Sequence, residues 1–520
     1  MWTPRRLVIA PLLAVLGLSA CAGGGRAWGI RDPAAALARA HATSVFGPAA
    51  DFDGSDLPDV GTTGLFPVHP EEACEVGVLA GGEDSYAMRL ALLRGATRSI
   101  RVQALIFTAD EAGLRIAELL IARRREGLDV HVIVDALSNV SWQTQWMYFD
   151  LMQHGVDVEG YEAAGLQWLN ELSPGTPHGT LRQADQRFHE KLWILDGETD
   201  HGVAVTGGLN LANEYFRVDP SHVERYWRDQ DVVVRGAVVA DLTRAFDRNV
   251  TYFQAIKASR GWFDTRRYWG ALRAALARTG HPSIAFTASP RRVALAAALE
   301  ARVPQVTTAP ARCRFFQSRP RLHESYIQQA YLKLVAGARR EVVLANAYFV
   351  PTPAMRAALV DAARRCVHVT VLTNSAETND TPGLSTVGRA YYAGLLATNT
   401  RPDVRACAQP AGIEIWEWRG QRADEARPSQ GLMHAKYVVV DGETALVGSH
   451  NLDPRSERLN SESALAFASP GLAQALVAGF TRDLASSRKI SLGEARGFAR
   501  PPGTLARLKL RLGKVFEDEL

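Results

Sequence analysis

The chain has 520 residues, 47% of them hydrophobic and 22% charged, which excludes disordered and fibrous classes and leaves room for two domains. Lys and Arg total 59 and Asp and Glu 55, a formal charge of +4 that falls short of the dense basic stripe of a phosphate-backbone binder. The five cysteines show no CxxC pair and no Cys/His spacing of a zinc site, so they point to neither a structural metal nor a dense disulfide framework.

Residues 1–20 start with Arg5 and Arg6 and continue as an apolar run from Leu7 to Ala20. That run is shorter than the roughly 20 residues of a membrane span and suits the core of a signal peptide. Leu18-Ser19-Ala20-Cys21 looks like a bacterial lipobox, which makes Cys21 the expected lipidation site; an ordinary cleaved signal is the alternative. Ala22, a non-acidic residue after the cysteine, resembles outer-membrane rather than inner-membrane sorting. The expected location is therefore the bacterial cell envelope, lipid-anchored and facing the periplasm. Residues 21–60, rich in Ala, Gly, Asp and Pro, read as a linker. The four aspartates between Asp51 and Asp59 lack the spacing of a calcium loop.

Beyond the linker the pattern alternates strand and helix. Ser99–Phe107 reads as a strand, Gly113–Arg125 as a helix and Val130–Val134 as the next strand. Later, Glu341–Asn346, Ala354–Arg365 and Val367–Leu372 repeat the order. Strand, crossover helix and strand at this spacing predict parallel pairing with helices on the sheet faces. The division expected is an N-terminal domain over 61–300, an inter-domain linker over 301–325, a C-terminal domain over 326–485 and a basic amphipathic tail over 486–520. Cys74, Cys313, Cys366 and Cys407 form an even set in an oxidising compartment, and both disulfides and free buried thiols remain open.

The repeat is sharpest at two segments. His189-Glu190-Lys191 through Asp196 and His434-Ala435-Lys436 through Asp441 are both HxKxxxxD, each followed by Gly-Glu-Thr. Each is then followed by a small-residue turn ending in Asn, Gly207-Gly208-Leu209-Asn210 in one case and Gly448-Ser449-His450-Asn451 in the other. On an extended strand, His and Lys two residues apart leave the same face. An imidazole beside an ammonium suits a phosphodiester, because the ring attacks phosphorus or moves a proton while the cation meets the non-bridging oxygens. Asn and Ser in the later turns are expected to add neutral donors to those oxygens. Asp229 and Glu462, each placed near the start of a strand after its Asn, are the candidate acids that fix the imidazole tautomers. A double displacement at phosphorus needs two histidines, and two copies facing each other supply them without a metal or other cofactor.

These motifs resemble the phospholipase D superfamily over roughly residues 80–480. Glu214-Tyr215-Phe216, Tyr348-Phe349-Val350-Pro351, Thr373-Asn374-Ser375 with Asp380, and Asn451-Leu452-Asp453-Pro454-Arg455-Ser456 with Asn460 are similar to bacterial cardiolipin synthases and their close relatives. The resemblance implies an α/β fold of two pseudo-symmetric halves, each a mixed, largely parallel sheet flanked by helices, sharing one active-site cleft. It implies a site built from His189, Lys191, Asn210 and Asp229 with His434, Lys436, Ser449, Asn451 and Glu462. Asp196 and Asp441 would be structural, and Gly208 stands where the second half has Ser449. The function implied is a phosphatidyl transferase acting on phospholipids through a phosphohistidine, with hydrolysis of phospholipid head groups as the alternative. A nuclease is the weaker reading and no nucleic-acid partner is expected, since nucleic-acid affinity rests on dense Lys and Arg contacts.

Two further segments stand out. The stretch from Ser138 to Gly179 is aromatic, with Trp142, Trp146, Met147, Tyr148, Phe149 and Trp168, and suits either a core helix or a lipid-facing surface. Leu505–Phe516 is basic and amphipathic, which suits either a surface helix docked on its own domain or contact with anionic lipid.

Overall fold

The computed structural model describes Ile30 and residues 32–52, 64–135, 138–139, 141–160, 187–218, 226–258, 290–381, 383–420 and 431–515. Among the described residues, seventeen strands form two sheets. In chain order they are β1 (Leu65–His69), β2 (Cys74–Leu79), β3 (Ser99–Ala104), β4 (Asp129–Val134), β5 (Asp157–Glu159), β6 (Leu192–Leu195), β7 (Val203–Gly207), β8 (Asp231–Gly236) and β9 (Val306–Pro310). They continue as β10 (Arg312–Ser318), β11 (Glu341–Asn346), β12 (His368–Asn374), β13 (Gly412–Trp418), β14 (Lys436–Val440), β15 (Thr444–Gly448), β16 (Glu462–Ala468) and β17 (Ser487–Lys489).

The first sheet runs β5-β4-β3-β6-β7-β8-β2-β9 and the second runs β13-β12-β11-β14-β15-β16-β10-β1, with β17 added beside β13. The two orders correspond strand for strand. In each sheet the first three strands pair in parallel and the remainder of that common series pairs antiparallel. The sheets are mixed as expected, but parallel pairing is confined to one side of each. Part of the reason is local: β6–β7 and β14–β15 are hairpins joined by segments too short for the crossover a parallel pair needs.

The expected domain boundaries need correction. Strands β1 and β2 are consecutive, yet β1 joins β10 in the second sheet while β2 lies in the first; likewise β9 joins β2 while β10 lies in the second sheet. Each half thus lends its leading strand to the other. The segment 301–325, expected as a linker, supplies β9 and β10, and the segment 61–300 contains a strand of the other half's sheet. The 21–60 linker is also partly built in. Asp32 caps the helix Pro33–Ala42, whose Ala36 and Ala40 pack with Val45 and Phe52 into the core of the C-terminal half. The tail is partly built in too, with β17 pairing β13 and the helix Leu492–Ala499 packing on the helix Leu384–Ala397 through Phe498 and Tyr392.

A shared core lies between the sheets, where Val76, Ile194 and Val232 of the first meet Phe315, Tyr437 and Leu465 of the second. Two disulfides are present, Cys74–Cys313 and Cys366–Cys407. The first joins β2 to β10 where the exchanged strands cross between sheets. In the aromatic stretch, Trp146, Met147, Tyr148 and Phe149 are buried in the N-terminal core on the helix Trp142–Gln153, so this part packs inward; Trp168 lies outside the described residues, as do residues 1–29 with Cys21.

Candidate active site

The two HxK segments enter β6 and β14, the central strands of the two sheets, and the halves meet at the residues just before them. Phe188 bridges Ser461, and Arg228 bridges Met433. The backbone N–H of His189 donates to Ser461 O at 2.9 Å, and that of His434 donates to Arg228 O at 2.7 Å. These backbone bonds set each histidine beside the residue that follows its bridging partner. His189 Nδ1 lies 2.8 Å from Glu462 Oε2, and His434 Nδ1 lies 2.6 Å from Asp229 Oδ2. Both candidate acids thus serve an imidazole, and each serves the one from the other half.

The pairs are supported differently. Glu462 accepts hydrogen bonds from the hydroxyls of Ser449 and, at 2.8 Å, Ser456. Ser456 in turn accepts from the Asn451 N–H at 3.2 Å. Asp229 accepts from the Gln230 N–H at 2.8 Å, and a Cβ at position 208 would fall 2.0 Å from its Oδ1. Gly208 is therefore the residue that leaves room for this carboxylate. Ser449, expected as a phosphate donor, has its hydroxyl committed to Glu462. Asn210, expected in the same role, donates its amide to Tyr215 Oη at 2.7 Å and accepts from the Ile106 N–H at 3.2 Å. Asn451 keeps a buried Oδ1 with no hydrogen-bond partner among the described residues.

His189, His434, Lys191 and Lys436 are all buried. Lys191 Nζ donates to His189 O at 2.6 Å and Lys436 Nζ to His434 O, so each ammonium curls beneath its own histidine on the face predicted from the i, i+2 spacing. Burial pulls Lys191 down to about 7 and Lys436 to about 8. Burial first, and then the two ammonium groups, hold both imidazoles well below the ordinary histidine range, so they are neutral. At His434 a backbone hydrogen bond to Gly208 opposes this depression. With Nδ1–H donated to a carboxylate, the neutral ring carries its lone pair on Nε2.

Asp196 and Asp441 each hold the start of a neighbouring strand. Asp196 accepts from the N–H groups of Thr97, Arg98 and Ser99 at 2.8, 2.7 and 3.0 Å. Asp441 does the same for Arg339, Arg340 and Glu341 at 3.0, 2.7 and 3.0 Å. Both lie at a left-handed φ, 53° and 56°, and so end the motif strand with a turn that anchors the start of β3 or β11.

Glu190 was not singled out from sequence, and Tyr215 and Tyr348 were named there only within matching segments and not as site residues. Glu190, between His189 and Lys191, points to the opposite face and is fully buried; it accepts from Gln103 and Asn249 and, at 2.8 Å, from Gln317 of the second sheet. Only its alternation with His and Lys hints at an inward-facing acid. Around His434 stand the rings of Trp227, Tyr215 and Tyr348, with centroids at 5.0, 5.4 and 6.4 Å. Tyr348 is fixed by donation to Asp380 at 2.6 Å. Among the described residues, no group of three or more His, Cys, Asp or Glu is placed to hold a metal ion.

Two imidazole–carboxylate pairs with two buried lysines, meeting at the junction of a duplicated α/β fold, define an enzyme of the two-motif phospholipase D type. The family model described as "Cardiolipin synthase, PLD-like domain" matches residues 90–249 and 331–484, and the chain belongs to this family. A probable cardiolipin synthase of Bacillus subtilis, YwiE, is 24% identical over 419 residues, covering 80% of this chain and 67% of the relative. A cardiolipin synthase of Geobacillus kaustophilus is 26% identical over 395 residues, covering 76% and 63%. Cardiolipin synthase A of Pseudomonas aeruginosa is 26% identical over 440 residues, covering 85% and 72%. The chain therefore spans about two thirds of the length of these relatives. The crystal structure of a phosphatidylserine synthase from Haemophilus influenzae superposes with a TM-score of 0.57 at 16% identity, covering 89% of this chain and 98% of that one, a likeness of fold.

Proposed function

We propose that the chain is a phosphatidyl transferase that joins a phosphatidyl group to an alcohol, as in cardiolipin synthesis. The observation that carries this reading is the pair of carboxylate-oriented imidazoles, each completed by the opposite half. His189 Nε2 attacks the phosphorus of a phospholipid phosphodiester; the entering anionic phosphate raises the proton affinity of His434, which takes a proton from solvent at Nε2 and passes it to the alkoxide of the leaving head group. The phosphatidyl group is then held on His189. His434 next accepts the proton of the acceptor hydroxyl, whose oxygen displaces His189 and forms the new ester. His189 is assigned here as nucleophile and His434 as acid and base, an assignment that the intact mass of single-histidine variants tests. Entry of the anionic substrate raises both lysines toward full charge, and their ammonium groups meet the phosphate oxygens.

Cys21 is proposed as a lipidated anchor holding the enzyme in the bacterial envelope with its body in the periplasm. Two disulfides, in a chain with four cysteines beyond that point, support an oxidising compartment.

The test is incubation of purified protein with isotope-labelled phosphatidylglycerol, reading products by mass. Cardiolipin and free glycerol support the transferase; phosphatidic acid alone, with no product carrying two phosphatidyl groups, replaces it with a hydrolase.

A further inference from the structure

The last described helix, Thr504–Val515, is seated on the body by one side only. Leu510 is buried, and Gly513 approaches so closely that a Cβ there would lie 2.7 Å from Val387 Cγ2. Lys514 Nζ sits 4.9 Å over the ring of Tyr391. A different side of the same helix carries Leu505, Leu508 and Leu512, exposed at 64%, 52% and 49%. At 3.6 residues per turn these three leucines form one stripe, with Lys509 on one flank and Arg507 and Arg511 on the other. All three cations are exposed. A stripe of leucines between cations on a helix that is too polar to span a bilayer has the make-up of an interfacial helix.

Its position gives the stripe meaning. Val387 belongs to a small apolar cluster with Val350 and Leu384, against which Tyr348 and Tyr391 pack. Tyr348 is in turn one of the rings around His434. The helix therefore rests on the elements that build the His434 side of the site.

We infer that Thr504–Val515 is a membrane-docking helix that seats this side of the enzyme on an anionic phospholipid surface. The leucines enter the boundary between head groups and acyl chains, and Arg507, Lys509 and Arg511 meet lipid phosphates. Electroneutral head groups offer no net charge for those cations, so the surface fitted is an anionic one. The inference deepens the transferase reading by naming how a phospholipid would be presented to the site, yet it is tested without turnover.

The experiment is amide hydrogen exchange on the full chain, mixed with vesicles of phosphatidylglycerol or of phosphatidylcholine. Peptides covering 504–515 are expected to exchange severalfold more slowly on phosphatidylglycerol than on phosphatidylcholine or in buffer. The slowing should vanish in Leu505→Ser/Leu508→Ser/Leu512→Ser and weaken in Arg507→Gln/Lys509→Gln/Arg511→Gln. These side chains are exposed, and unchanged exchange in the sheet strands checks that each variant is folded. Equal exchange in all three conditions, equal slowing on both lipids, or slowing that survives the leucine substitutions would overturn the inference. Any of those outcomes would leave the transferase reading to be judged by its products.

Discussion

His189 and Glu462, 273 residues apart in the chain, share a hydrogen bond of 2.8 Å between Nδ1 and Oε2. Because His434 and Asp229 make the reciprocal contact, neither half holds a complete imidazole–carboxylate pair. Glu462→Gln and Asp229→Asn should each lower kcat by about 10²–10⁴-fold, the range over which a mispositioned general acid or base acts. The fold should persist in both, because the backbone bonds His189 N to Ser461 O and His434 N to Arg228 O do not involve these side chains. Steady-state kinetics with circular dichroism checks this; near-normal kcat in either variant would remove the orienting role.

The histidines should be individually indispensable. His189→Ala and His434→Ala are each expected to abolish turnover, whereas strong chelation should leave the wild type active, because Lys191 and Lys436 supply the positive charge at the phosphate. A His434→Ala enzyme that accumulates a phosphatidyl group on His189, seen by intact-protein mass, would support the order of steps proposed.

Activity and stability should respond to pH in opposite directions. Lys191 at about 7 and Lys436 at about 8 lose their charge in the free enzyme as pH rises, so kcat/KM should decline above pH 8. Their folded values lie below the unfolded value of 10.5, so the folded state binds fewer protons between these limits, and their contribution to stability grows as pH rises through that window. The buried neutral histidines act in the same sense lower down, costing stability as pH falls below 6.5. A kcat/KM profile flat to pH 10 would contradict the lysine assignment.

The disulfides should differ in both accessibility and worth. Cys366 and Cys407 are half-buried, while Cys74 and Cys313 are buried at the strand crossing, so mild reductant should open Cys366–Cys407 first. With sequence separations of 239 and 41 residues, chain-entropy scaling makes loss of Cys74–Cys313 the costlier by about 1–2 kcal/mol. Denaturant unfolding of Cys313→Ser and Cys407→Ser variants measures the difference.

If Cys21 is acylated as proposed, the protein should fractionate with membranes and resist high-salt extraction, since acyl burial contributes about 0.8 kcal/mol per CH₂. Cys21→Ser should block lipidation. Mass spectrometry of the mature N-terminus decides it, and an unmodified start elsewhere would leave only simple export.

Much of the site was legible because its chemistry is written in short segments. His, Lys and Asp repeat at one spacing, and Glu341–Asn346 forms a strand over the predicted residues. The pairing of Asp229 and Glu462 was not legible, because sequence equivalence assigns each acid to its own half while the two-fold packing exchanges them. The same holds for β1 and β9: an apolar segment such as Leu65–His69 shows that it is a strand but not whose edge it joins. The helix Pro33–Ala42 was hidden by its alanine-rich composition, although Asp32 at the cap and Pro33 at the first turn are start signals.

The exchange of leading strands also fixes the order in which the molecule can mature. Leu65 of β1 finds its ladder partner only at Phe316 of β10, and Val78 of β2 finds Thr307 of β9. A nascent chain must complete its entire first half before β1 can be paired or the second edge of β2, whose other edge joins β8, can be covered, and until then those backbone edges stay bare. A fragment ending near residue 300 would keep those edges permanently and should aggregate rather than yield a free-standing half. Export in an unfolded state would postpone the problem until all of the chain is on one side of the membrane, where Cys74 and Cys313 can then lock the crossing.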